Sequence, residues 1–312
     1  MKTKKAIWPA LLIILAAMMW GIDGSILRPS LYSLQAKVVV FAEHTIAFGI
    51  MIALLIITLL LNKSKPNWLK KDIQSIKKLK IKHWIIVGWV ALFGGMIGTI
   101  AITKALFYVG FVPLSVPIMI QKIQPVFAII LAYIVLKEKP KKEFYFWATI
   151  AIIGSYLVTF GFDKPFISLE NKTMIAALLG LVAAFSWGSS TVFGKSALKH
   201  LSYRVTTFLR FGLTSILVLI LLLTTNSLNA IKEIQYNQLL ILIIIALTTG
   251  CLSIFIYYKG LEKTKASSAT IYELAFPISV IIIDYIINQN ILSIPQFIGA
   301  GLIIISIIKI TK

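Results

Sequence analysis

Ala16-Ala17-Met18-Met19-Trp20-Gly21 and Ala183-Ala184-Phe185-Ser186-Trp187-Gly188 share one pattern, Ala-Ala-x-x-Trp-Gly, without a gap. A basic residue lies eight positions after each Trp, Arg28 in one case and Lys195 in the other. Further on, Gly95 and Lys104 are nine apart, as are Gly250 and Lys259. Pro125 and Pro277 are each followed by a tyrosine eight residues later, Tyr133 and Tyr285. One shared motif in an apolar chain is chance, whereas several in the same order mark an internal repeat.

The repeat is embedded in an unusually apolar chain. Of 312 residues, 59% are hydrophobic and 13% charged, with mean hydropathy +0.92. Soluble domains are about 45–50% apolar and about 25% charged, so the surplus must face lipid. This excludes a cytosolic enzyme, a secreted disulfide scaffold and a disordered tail protein. Cys251 is the single cysteine, and His44, His83 and His200 are scattered, so neither a disulfide nor a metal site is expected.

A membrane-crossing helix needs roughly 20 mostly apolar residues. Ten such runs are present: Trp8–Leu27, Lys37–Leu61, His83–Val109, Pro113–Leu136 and Phe144–Gly161, then Met174–Ala197, Arg204–Thr225, Asn237–Lys259, Ala266–Ile287 and Ile294–Ile308. Met1–Lys5 and the run after it resemble a signal peptide, but the run is too long and Trp20, Gly21 and Asp23 fit no cleavage site. It is expected to stay as the first span. Alternating loops place 23 of the 31 basic residues on one side of the membrane. Only Arg28, Lys37, Lys164, Lys172 and Lys232 fall on the other side, while Lys104, Lys122 and Arg210 lie within spans. Basic loops stay cytoplasmic, so both termini are expected there and the net charge of +20 reports orientation rather than nucleic-acid binding. The predicted fold is an all-α integral membrane protein of ten transmembrane helices. Five spans per half is an odd number, so the halves, residues 1–161 and 162–312, are inverted repeats. Such repeats hold substrate near mid-membrane between them.

The pattern resembles the drug/metabolite transporter superfamily, specifically ten-helix proteins with two EamA domains. The resemblance covers nearly the whole chain and rests on size, span number and the Trp-Gly motif opening each half. A basic or titratable residue in each second helix, His44 and Arg210, and the acid Glu138 after the fourth span also match. Asn290, after the ninth span, departs from the pattern. The resemblance implies a secondary active transporter of small polar or zwitterionic metabolites. Export of amino acids or related amphipathic compounds by alternating access is what it most often implies. Facilitative exchange or import of nucleobases, quaternary amines or nucleotide-linked compounds is the alternative, with a non-transporting sensor or accessory subunit as a further one. The partners implied are a small metabolite, protons and membrane lipids, in a monomer or homodimer. Location is a bacterial cytoplasmic membrane, in keeping with an isoleucine- and lysine-rich composition.

Charged groups inside spans cost several kcal/mol unless paired or hydrated, which makes each a candidate for function. In the first half these are Asp23, Glu43, His44, Lys104, Gln121 and Lys122; in the second, Arg210, Lys259, Glu273 and Asp284. Lys104 and Lys259 sit near helix ends, where lysines snorkel. Glu43 and His44 point about 100° apart on a helix, so they do not both face lipid. Gln121-Lys122 and Glu273 each precede a proline, Pro125 or Pro277, within four residues. Those prolines are expected to act as hinges that free backbone carbonyls. Trp20 and Asp23 share a helix face, and an indole beside a carboxylate suits a cationic or aromatic ligand group. Trp187 is equally deep; Ser190 and Tyr272 are weaker candidates. The Asn62–Lys82 loop reads as a basic strip for anionic headgroups. No Walker loop and no His-Glu-x-x-His, Gly-x-Ser-x-Gly or Cys-x-x-Cys motif is present. No enzyme activity and no cofactor are therefore expected.

Overall fold

The computed structural model describes residues 2–62, 66–108, 120–162, 171–289, 291 and 293–311. All of its regular elements are helices: α1 (Lys2–Ile22), α2 (Ala36–Leu61), α3 (Asn67–Lys77), α4 (Ile81–Tyr108), α5 (Gln124–Leu136) and α6 (Lys142–Phe160). They continue with α7 (Asn171–Ala197), α8 (Tyr203–Thr224), α9 (Tyr236–Leu261), α10 (Ala266–Tyr272), α11 (Ala275–Asn288) and α12 (Ile294–Thr311). Among the described residues nine segments are long and apolar enough to cross a membrane, with α10 and α11 together making one of them. The fourth expected span is described only in part, by Ile120–Gln121 and α5; its beginning, from Pro113, and Asn290 lie outside the described residues. Leu54, Ile134, Ile220, Ile286 and Ile298 are exposed, which is where the apolar surplus goes.

The packing follows the repeat. α1 packs on α9 and α11, while its counterpart α7 packs on α4 and α5. α2 crosses α8, and α6 crosses α12. Each first span thus lies against the third and fourth spans of the other half, and second and fifth spans pair with each other. Small residues make these crossings close, because helix association in lipid relies on packing rather than on the hydrophobic effect. Ala16, Ala17, Ala183 and Ala184 are all fully buried. A Cβ on Gly21 would strike the Ser279 side chain of α11, and one on Gly188 would lie 2.9 Å from the Gln124 carbonyl oxygen of α5. The Trp-Gly motif is therefore the point where each first span presses on the fourth span of the opposite half.

Three segments carry structural detail beyond the sequence pattern. The Asn62–Lys82 loop contains helix α3, whose Asp72 accepts from Arg204 of α8 at 2.9 Å while Trp68 lies under the same guanidinium. Pro125 and Pro277 do not interrupt helix interiors. They sit in the first turns of α5 and α11, where a missing N–H costs nothing. The breaks precede them, at Lys122–Ile123 and Glu273–Leu274. Finally, Arg28, counted above as a loop residue, is buried.

The third spans carry a shared irregularity. α4 contains a π-helical segment at Val90–Ile97 and α9 one at Ala246–Leu252. These enclose Gly95 and Gly250, the pair matched in sequence. A wider turn leaves carbonyls for side chains, and such turns occur at functional sites. The α7–α5 crossing tolerates no side chain at residue 188. Gly188→Val should cost about 1–3 kcal/mol of stability through overpacking, read as a lower melting temperature and a reduced monodisperse fraction in detergent. The same substitution at Gly49, where an added Cβ meets nothing within 4 Å, should leave both unchanged.

Candidate substrate cavity

A cavity of about 550 Å³ lies between the two halves. Asp23 and Arg28, at the far end of α1 from the N-terminus, line it, as does Gln296 in the first turn of α12. The cavity therefore reaches toward the membrane face opposite the two chain ends. On the face of the chain ends the two halves are tied together, and neither Glu138 nor Lys195 lines the cavity. Glu138, just past α5, accepts from the Ala266 and Ser267 backbone N–H groups at 2.9 and 3.0 Å and from the Ser267 hydroxyl at 2.6 Å. A carboxylate there satisfies the orphan donors at the start of α10. Within the second half, Lys195 of α7 donates to the carbonyls of Leu261 and Glu262 at the end of α9, both at 3.0 Å.

Two polar clusters stand in the cavity wall. The first is built on Arg28. The π-helical turn Asp23–Leu27 and the short 3₁₀ turn after it carry Arg28 inward, where Nη2 meets Asp23 Oδ2 at 2.6 Å and Glu43 Oε2 at 2.9 Å. Nη1 donates to Thr103 at 3.2 Å. His44 Nδ1 faces two acceptors, the Val40 carbonyl at 2.9 Å and Glu43 Oε1 at 3.4 Å, so this nitrogen carries the hydrogen. Asp23 Oδ1 is buried and has no hydrogen-bond partner among the described residues.

The second cluster is centred on Glu273 at the α10–α11 break. Its carboxylate accepts from Gln124 Nε2 at 2.6 Å, Tyr257 Oη at 2.7 Å and Thr191 Oγ1 at 3.3 Å. Tyr257 also leans on Trp20, their ring centroids 5.4 Å apart. The Trp20 indole N–H donates to Ser253 Oγ at 2.9 Å, and that hydroxyl donates to Thr249 and Gly250 carbonyls in the π-helical segment of α9. In α4 the matching segment offers the Gly94 carbonyl to Arg210 Nη2 at 2.9 Å. Arg210 Nη1 reaches Tyr258 Oη at 3.0 Å. Both π-helical segments thus hold a cavity-lining side chain of another helix.

Most of the candidates named from sequence meet here. Trp20, Asp23, Glu43, His44, Gln121, Lys122, Trp187, Ser190, Arg210, Glu273 and Asp284 line the cavity, with Pro125 and Pro277 beside the breaks. Three do not. Lys104 and Lys259 are exposed, near Tyr108 and Tyr203 respectively. Tyr272 is buried and accepts from Thr311 of α12. Among the lining residues not singled out as site candidates in sequence, Arg28, Gln124, Thr191, Tyr257 and Tyr258 make the hydrogen bonds of the two clusters and of Arg210. Arg28 carried a signal, its fixed distance from Trp20, that was used for the repeat and not for the site. The tyrosines and Thr191 carried none, being ordinary residues in an apolar run.

A two-repeat bundle of membrane-crossing helices around a cavity that holds buried charged groups is the architecture of a membrane transporter. The chain belongs to the EamA-like transporter family, whose profile matches residues 7–160 and 174–312. It is 45% identical to the riboflavin transporter ImpX of Fusobacterium nucleatum over 97% of each chain. It is 22% identical to YwfM of Bacillus subtilis, an uncharacterized transporter, over 97% of this chain and 93% of that one. A solved crystal structure shares the fold at TM-score 0.70 with 14% identity, covering 96% of this chain and 94% of the other.

Removing one partner of a buried ion cluster costs about 3–5 kcal/mol, because it strands the opposite charge. Arg28→Ala should therefore lower the melting temperature strongly. Adding Asp23→Asn and Glu43→Gln to it should restore much of the loss. A single variant as stable as the unmodified protein would mean that Arg28 does not neutralise the two acids.

Proposed function

We propose that this protein carries riboflavin, or a solute built on the same tricyclic ring, by alternating access of its two repeats, residues 1–161 and 162–312. The observation that carries this is the composition of the cavity wall. Trp20 and Tyr257 give an aromatic surface beside Glu273, Gln124 and Thr191, which supply acceptors and donors in a short row. A flavin needs this combination, since its ring is flat and apolar on both faces and carries a line of amide-like donors and acceptors along one edge. The 45% identity to a riboflavin transporter supports the same reading. About 550 Å³ is also the size of a site for a drug-sized ligand, of which an amino acid fills a small part.

Riboflavin is neutral, so accumulation against a gradient needs a coupled ion. Proton coupling is assigned to Glu273 and to the Glu43–His44 pair, whose surroundings change as the cavity switches sides. With both termini in the cytoplasm, the face tied together by Glu138 is the cytoplasmic one and the structure is the outward-facing state. Net direction follows the solute and ion gradients.

The test uses proteoliposomes and labelled riboflavin. Protein-dependent flux is expected, and an imposed pH gradient should drive uptake above the level reached at equal pH. Glu273→Gln should reduce flux about tenfold or more with unchanged membrane insertion, because a carboxylate accepting three hydrogen bonds is lost. Identical flux with and without the gradient would end the coupling assignment, and no riboflavin flux at all would end the substrate assignment.

A further inference from the structure

Every charged group of the two clusters has a bonding partner, but one cation in the same wall has neither a carboxylate nor a hydrogen-bond acceptor among the described residues. Lys122 is 9% exposed and lines the cavity. Among the described residues its one polar contact is the face of the Phe276 ring, 4.4 Å from Nζ. Three carboxylates of the same wall are committed elsewhere, Asp23 and Glu43 to Arg28 and Glu273 to Gln124, Tyr257 and Thr191. An ammonium held inside a membrane protein without a carboxylate is costly, and an anion entering the cavity beside it lowers that cost.

The position of Lys122 says where that anion goes. Lys122 lies at the break before α5, and Phe276 is in the first turn of α11, just after the matching break of the second half. Gln124, two residues beyond Lys122, bonds Glu273 at that second break. The ammonium is therefore set close to the Glu273 cluster but on the other half, where a ligand gripped by Glu273 can extend its tail.

We propose that Lys122 is an anion-binding subsite of the cavity, and that it takes the phosphate group of a phosphorylated substrate. That the rest of this substrate is a flavin rests on the reading given above; the anion subsite itself does not. A phosphate monoester fits because a lysine binds phosphate as a point charge without needing the bidentate geometry of arginine.

Two arms test this with the purified full-length protein. In the first, inorganic phosphate is compared with chloride at matched ionic strength by thermal melting. Phosphate should raise the melting temperature of the unmodified protein and of Lys122→Arg, and leave Lys122→Gln unmoved, since a ligand stabilises only the state that binds it. Lys122→Gln removes an unpaired buried charge and is expected to fold. Equal shifts in all three proteins, or none in the unmodified one, would overturn the subsite. In the second arm, radiolabelled riboflavin reports binding while unlabelled flavin mononucleotide, or unlabelled riboflavin, competes. Flavin mononucleotide should compete better than riboflavin itself, and Lys122→Gln should weaken it roughly tenfold while changing riboflavin affinity little. Competition unaffected by the substitution overturns the phosphate assignment. Absence of riboflavin binding overturns the flavin reading alone, because the phosphate arm still judges Lys122.

Discussion

Two close crossings hold this molecule in register, α1 over α11 at Gly21 and α7 over α5 at Gly188. In each, a first span meets the fourth span of the opposite half within one turn of a helix break. Because lipid offers no hydrophobic drive between helices, the approach depends on the absence of a side chain. The adjacent Trp20 and Trp187 are thereby delivered to the cavity wall rather than to the interface. The buried alanine pairs one turn earlier keep the same faces close along the crossing.

Around that frame the charges are arranged in local balance. Arg28 neutralises two acids across α1 and α2, while Arg210 is held by a carbonyl and a phenol from α4 and α9. Glu273 is satisfied by uncharged donors from three helices. Such networks gain most when every member is bonded. Asp23 Oδ1 is left without a hydrogen-bond partner among the described residues, and Asp23 and Lys122 both line the cavity. The π-helical segments serve the same end, since their carbonyls anchor Arg210 directly and Trp20 through Ser253.

One contact of the first half, without a counterpart acid in the second, ties the halves at one end. Glu138 reaches across from the first half to begin α10 of the second, joining the halves on the face of the chain ends.

The sequence determined the spans, the repeat and most of the wall, for physical reasons that act locally. Hydropathy sets which segments enter lipid, and charge inside them is rare enough that Glu43, His44, Lys122, Arg210 and Glu273 stand out against an apolar background. Pairing is not local. Asp23, Arg28 and Glu43 come from two helices, and Glu273 gathers partners from residues 124, 191 and 257. Threonine and tyrosine are common in apolar runs, so Thr191 and Tyr257 became site residues only through the crossing of α7 and α9 over the second break. Lys104 and Lys122 look alike in sequence, each a lysine in a span. The fold alone separates them, turning one outward and leaving the other in the cavity without an anion.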